Sequence, residues 1–156
     1  IAVTQRALPG FRKQGSGVIV NVSSAVTLRT FPLLSAYTAS KAAVEAFSEG
    51  LALELAPFGL RVRLVLPGRA PGTSFGPAAR ARSKDGIPDA YVEWAGTVLS
   101  APAQAPSDVT TAIDVAKAIW QAVTDPSSPF RTPAGADAVA LSAQSALRSA
   151  RASTTA

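Results

Sequence analysis

The sequence predicts an α/β fold built on a parallel sheet. Three observations carry that expectation. Val18-Ile19-Val20-Asn21-Val22 is a β-branched run of strand length, apolar on both faces as a buried parallel strand should be. A long helical stretch follows, over residues 36–56. Arg61-Val62-Arg63-Leu64-Val65-Leu66 then reads as a second strand. Strand, helix and strand within about 50 residues make a βαβ unit, which joins parallel strands by a crossover. In open parallel sheets, ligands bind beyond the carboxyl ends of the strands. Ser24 and Pro67-Gly68 both fall at such ends.

Taken in order, residues 1–14 read as the end of an amphipathic helix that Pro9 and Gly10 bend or interrupt. Gly15-Ser16-Gly17 is a turn. It precedes a strand instead of following one, so it does not qualify as a dinucleotide phosphate loop. Ser23 and Ser24 end the first strand, and residues 25–35 form a loop. Ser35 is a good N-cap for the long helix. Along that helix Phe47, Leu51 and Leu55 repeat at four and mark an apolar stripe. Ala42, Ala43, Ala46 and Gly50 form a small-residue face that fits either close packing within the monomer or a helix–helix contact between subunits. Pro57-Phe58-Gly59 ends the helix.

Residues 67–110 are rich in proline, glycine, alanine and serine and read as a substrate-binding lid with short helices near 77–83 and 89–99. Thr111 opens a further helix through Val123, with Asp114 well placed in its first turn, and Asp125-Pro126 stops it. Ala138-Val139-Ala140-Leu141 is expected as a short last strand. The domain is therefore expected to cover 1–141, with 142–156 as an alanine- and serine-rich tail, a frayed helix or disordered.

Composition excludes much chemistry. The 156 residues include no histidine and no cysteine. That removes a serine–histidine–acid triad, thiol nucleophiles, disulfides and histidine- or cysteine-ligated metals; no metal site is expected. Acid–base work falls to tyrosine, lysine or carboxylates. The net charge of +5 is scattered, without a basic stripe or interleaved aromatics, so it reads as a solvated surface and not as a nucleic-acid interface. No apolar run reaches the ~18 residues of a membrane span, and nothing resembles a signal peptide; a cytoplasmic location is expected. The chain begins at Ile1 and holds no methionine, and its first residues read as mid-helix, so it is expected to be a C-terminal portion.

Tyr37 and Lys41 lie four apart, one turn along one helix face. Alone, such a pair also describes an amphipathic helix with a snorkelling lysine. The combination is more specific. Asn21-Val22-Ser23-Ser24 ends a strand, Tyr37-Thr38-Ala39-Ser40-Lys41 follows with Tyr37 thirteen positions after Ser24, and Pro67-Gly68 ends the next strand. With these motifs in this order the chain resembles the short-chain dehydrogenase/reductase family, well over residues 1–75 and weakly beyond.

The resemblance implies a Rossmann-like, doubly wound parallel sheet, represented here by its C-terminal half. It implies hydride transfer between NAD or NADP and a carbonyl or alcohol. Tyr37 would be the general acid/base, Lys41 would favour the phenolate and bond the nicotinamide ribose, and Ser24 would hold the substrate oxygen. Pro67, Gly68, Ala70 and Thr73 would border the nicotinamide. Thr73 stands one residue later than the family's usual threonine, and Gly72 holds that place. Thr27 stands where a glycine is common. Arg131, Pro133, Gly135 and Asp137 replace the family's closing Asp-Gly-Gly. Asn21 and Ser23 read as structural hydrogen-bonders.

Phe75, Tyr91 and Trp94 in the lid either line an apolar substrate pocket or pin the lid to the core. A homodimer or homotetramer through the helix at 36–56 is implied as well. The glycine-rich loop and the catalytic asparagine belong to the family's N-terminal half, so this portion alone is expected to be inactive. Two other readings stand beside the enzyme. One is a non-catalytic binding or scaffold protein of the same fold. The other is a hydrolase with Ser24 as nucleophile and a lysine as base.

Overall fold

The computed structural model describes residues 1–82, 86–99 and 109–154. Helix α1 (Ala2–Gln14) leads through a left-handed Gly15 (φ 70°) into strand β1 (Gly17–Val22). α1 runs through Pro9 unbroken; the proline removes a single intrahelical N–H, and Leu8 and Phe11 on either side of it are packed into the core. A 3₁₀ turn over Ala25–Leu28 breaks the loop expected at 25–35. Helix α2 (Ser35–Leu55) follows, with Leu34 as N-cap; Ser35 is its first residue and makes no capping bond. A 3₁₀ turn (Ala56–Phe58) and a left-handed Gly59 lead into β2 (Leu60–Pro67). Then come α3 (Phe75–Arg82), a 3₁₀ turn (Asp89–Tyr91), α4 (Val92–Leu99), α5 (Ala112–Thr124), β3 (Arg131–Ala134) and α6 (Ala136–Thr154).

The sheet is parallel, in the order β1-β2-β3. Val18 pairs with Arg61 and Val22 with Val65; Leu64 pairs with Arg131 and Pro67 with Ala134. All three carboxyl ends therefore reach one rim. β2 is central, and Val62, Leu64, Val65 and Leu66 are buried. Among the described residues β1 is paired along one edge only; Gly17–Asn21 are half-buried and Val22 is exposed, less covered than their apolar pattern led us to expect.

Side chains alternate across the sheet and both faces are covered. Leu8, Leu51, Leu55, Leu60 and Val62 pack on one face with Ile19, Phe47 and Phe130, so α1 and α2 lie there. Val65, Ala118 and Ala134 pack on the other with Val20, Val115 and Ile119, which puts α5 there. This is the expected doubly wound arrangement. The stripe at 47, 51 and 55 is the face that α2 buries. Its small residues Ala42, Ala43, Ala46 and Gly50 are exposed.

Two elements have a different form from the expected one. The last strand is Arg131–Ala134, not Ala138–Leu141. Gly135 (φ 96°) turns the chain after Ala134, and the alanine-rich sequence beyond it takes up helix α6, which also absorbs residues 142–154 of the expected tail. Residues 155–156 lie outside the described residues, as do 83–85 and 100–108 of the expected lid. α5 begins as expected. Thr111 Oγ1 accepts the Asp114 N–H and the Asp114 carboxylate accepts the Thr111 N–H, closing a capping box.

Candidate active site

Ser24 leaves β1 at the sheet's carboxyl edge and caps the 3₁₀ turn, its Oγ accepting the Val26 N–H at 3.3 Å. That bond uses an oxygen lone pair and leaves the hydroxyl proton free to donate. Tyr37 lies in the first turn of α2, where its ring meets Phe75 at 6.0 Å between centroids. One turn on, Lys41 Nζ lies 5.8 Å from the Tyr37 ring centroid and donates to the Val22 carbonyl at 3.3 Å. The ammonium thus ties α2 to the end of β1.

Other polar bonds fix the same join. Asn21 Nδ2 donates to Ser48 Oγ at 2.8 Å, and Ser48 Oγ to the Val44 carbonyl. Ser23 Oγ donates to Glu45 at 2.8 Å, and Thr27 Oγ1 donates to the same carboxylate at 2.6 Å. Lys41, Glu45 and Ser48 fall at helical spacing, so one face of α2 is bonded to β1 and the 3₁₀ turn. Arg131 at the start of β3 completes the set, with Nε 3.6 Å from Glu45 and a second pairing to Glu49. The threonine at 27 is explained by this network, because its hydroxyl reaches Glu45.

Ser24, Tyr37, Pro67, Gly68, Ala70 and Phe75 line one cleft of about 720 Å³ at the rim, together with Ala25, Val26, Phe31, Leu34 and Leu141. Lys41 stands beside Tyr37 but is not on the lining. Thr73 is not on it either: its hydroxyl donates to the Ala70 carbonyl at 2.8 Å and accepts the Phe75 N–H, which turns the chain into α3. Tyr91 and Trp94 lie off the cleft as well. They pair with each other at 6.1 Å between centroids and stay about half exposed.

The floor of the rim is held by residues that motif reading missed. Asp137, 3% exposed in the first turn of α6, accepts the Arg69 N–H at 2.6 Å, the Ala138 N–H at 3.0 Å and a bond from Thr110 Oγ1 at 2.7 Å. Thr110 Oγ1 in turn accepts the Gly68 N–H at 3.0 Å. Gly68 must be glycine, since a Cβ there would collide with the Asp137 carboxylate. The available signal was Gly135 followed two residues later by an acid, which marks a helix start. Among the described residues no cluster is placed to hold a metal ion, and no helix is long and apolar enough to cross a membrane.

Fold and cleft together define a Rossmann-like α/β chain with its polar groups gathered at the carboxyl edge of the sheet. The family model for short chain dehydrogenase matches residues 1–82. An uncharacterized oxidoreductase of Bacillus subtilis (strain 168) is 52% identical over 68 residues, 44% of this chain and 24% of that protein. An uncharacterized oxidoreductase of Schizosaccharomyces pombe (strain 972) is 32% identical over 138 residues, 86% of this chain and 56% of the yeast protein. The crystal structure of a short-chain dehydrogenase from Streptomyces avermitilis superposes with a TM-score of 0.70 at 35% identity, covering 97% of this chain and 53% of that one. The chain belongs to the short-chain dehydrogenase family. It spans about half the length, or less, of these relatives.

Proposed function

We propose that the protein is an NAD- or NADP-dependent oxidoreductase acting on a small-molecule carbonyl or alcohol, with Tyr37 as general acid/base. The observation that carries this reading is the meeting of Ser24 and Tyr37 on one cleft, with Lys41 one helical turn behind the phenol. The residues present fit the nicotinamide end of such a cofactor. The cleft is mainly apolar, Tyr37 and Phe75 offer ring faces, and the Ala70 N–H has no partner among the described residues. No G-x-G-x-x-G follows a strand in this sequence to cradle a pyrophosphate.

When bound, the nicotinamide supplies or accepts the hydride. The Ser24 hydroxyl donates to the substrate oxygen and stabilises charge on it. The Tyr37 hydroxyl gives its proton to that oxygen in reduction and takes it back in oxidation. Lys41 holds its ammonium beside the Tyr37 ring, and with one N–H given to the Val22 carbonyl two remain available to a ribose. Pro67, Gly68 and Ala70 border the ring. Thr73 acts through the Ala70 turn. The lid reading of residues 67–110 and a subunit contact through the exposed small face of α2 belong to the same proposal. Tyr91 and Trp94 lie off the cleft and meet each other, which speaks against their lining the pocket.

The test is Tyr37→Phe in the intact protein, followed by nicotinamide absorbance. Loss of about 10²-fold or more in hydride transfer is expected, with an unchanged circular dichroism spectrum. An unchanged rate would overturn the assignment and favour a binding protein of the same fold.

A further inference from the structure

We infer that the cleft takes an amphipathic carbonyl or alcohol whose far end is acidic, a carboxylate, sulfonate or phosphate held by Arg29. This rests on the reading of the Ser24–Tyr37 cleft as the carbonyl site and adds the class of substrate.

The cleft walls are mainly apolar, yet two arginines, Arg29 and Arg69, are among its lining residues. Among the described residues neither has a carboxylate partner. The carboxylate on the same lining, Asp137, is already taken by the Arg69 N–H, the Ala138 N–H and the Thr110 hydroxyl. Bonds from neutral donors leave its charge in place, so two cations face one carboxylate and the lining keeps a net positive charge.

Arg29 is also held in place. Its guanidinium lies 5.3 Å from the centroid of Phe31, itself a lining residue, so an aromatic face favours this position of the cation. Beyond it the surface changes character. Arg29 also borders a shallow second cavity of about 530 Å³, whose walls carry Thr27, Thr30, Ser145 and Arg148. Arg148 is oriented by a 2.8 Å bond from Nη2 to the Leu28 carbonyl. An apolar body beside Tyr37 and Phe75 would thus end at a patch of two guanidiniums and several hydroxyls. A planar guanidinium fork suits an oxyanion.

Binding of 9-oxodecanoate and of its uncharged methyl ester to the intact protein, measured by isothermal titration calorimetry, tests this directly. At low ionic strength the acid is expected to bind about tenfold more tightly than the ester. The preference should shrink severalfold between about 0.01 M and about 1 M salt, as the screening length contracts. Arg29→Gln should bring the ratio of the two affinities near one. Lys117→Gln, which removes the same charge from α5 away from the cleft, should leave the ratio intact. Equal affinity of wild-type protein for acid and ester would overturn the inference, even if Arg29→Gln fails to fold, and so would a preference that survives Arg29→Gln. Hydride transfer does not enter the readout. The affinity ratio decides this inference and the rate of Tyr37→Phe decides the oxidoreductase reading, so the two fail separately.

Discussion

Removing the Asp137 side chain should loosen the rim of the cleft more than any other single truncation around it. The carboxylate is 3% exposed and accepts from Arg69 N, Ala138 N and Thr110 Oγ1. Asp137→Ala strands the buried Ala138 N–H, while the Thr110 proton turns to the Ala134 carbonyl and water can reach the more exposed Arg69 amide. Hydrogen bonds to a charged acceptor contribute about 1.5–3 kcal/mol each, and a stranded buried donor costs about 1–3 kcal/mol. One stranded donor and the weakened bonding of Thr110 and Arg69 give a loss of about 3 kcal/mol, a large share of a typical domain's stability. At about 2–4 °C per kcal/mol, Tm should fall by roughly 6–12 °C.

Asp137→Asn should be milder, because it keeps a bond to the Thr110 hydroxyl. Its single proton faces two acceptors, the Asp137 carboxylate at 2.7 Å and the Ala134 carbonyl at 2.8 Å. An asparagine amide can donate to Thr110 Oγ1, whose proton then turns to Ala134. The amide oxygen keeps Arg69 N, and only the Ala138 N–H loses its acceptor. The expected cost is about 1–2 kcal/mol. Urea unfolding followed by circular dichroism measures both variants, and amide exchange at Gly68 and Arg69 reports on the rim itself. Asp137→Ala within about 1 kcal/mol of wild type, or Asp137→Asn as damaging as Asp137→Ala, would refute this account of how the rim is held.

The part of the fold that could be read from sequence is the part written in local pattern. Val18–Val22 and Arg61–Leu66 are strand runs joined by a long helix, and they became β1, α2 and β2. Thr111 and Asp114 spell out a capping box, and α5 starts there. β3 was hidden because Arg131-Thr132-Pro133-Ala134 has little strand character; its Pro133 is tolerated on a strand paired along one edge only. Ala138–Leu141 misled because a four-residue apolar run fits a strand or one turn of a buried helix equally well. Ala138 is fully buried and Leu141 reaches the cleft, three positions on, which is helical spacing.

The site divides in the same way. Ser24 and Tyr37 were legible because their motif is compact and one βαβ unit brings them to one rim. Asp137 and Thr110 were not, because they meet the Gly68–Arg69 backbone across 68 and 42 positions of sequence. Only the register of β2 against β3 brings them there. Tyr91 and Trp94 show the converse: aromatic composition flagged a pocket, but it carries no information on direction, and the two rings turned to each other.

Two further predictions follow from networks that stand outside the cleft. Thr111 holds the Asp114 carboxyl below the usual carboxylate range, first through its hydroxyl and then through its backbone N–H. A carboxylate with a lowered folded-state pKa contributes stability above its unfolded pKa of about 4 and loses it as pH falls through the lower folded value. Wild-type Tm should therefore fall more steeply below about pH 4 than that of Asp114→Asn, and parallel curves would count against the capping box. Glu45 joins three elements, accepting from Ser23 Oγ and Thr27 Oγ1 and pairing with Arg131. Glu45→Ala should cost about 2–3 kcal/mol in urea unfolding, chiefly from the two hydroxyl bonds, because the pairing with the exposed arginine is weak. The same loss frees the 3₁₀ turn that carries Ser24 from the helix that carries Tyr37. If the two depend on this join, hydride transfer should fall severalfold in Glu45→Ala, where Arg131→Gln leaves it within about twofold. Equal effects of the two substitutions would place the control of geometry in the ion pair and not in the hydroxyls.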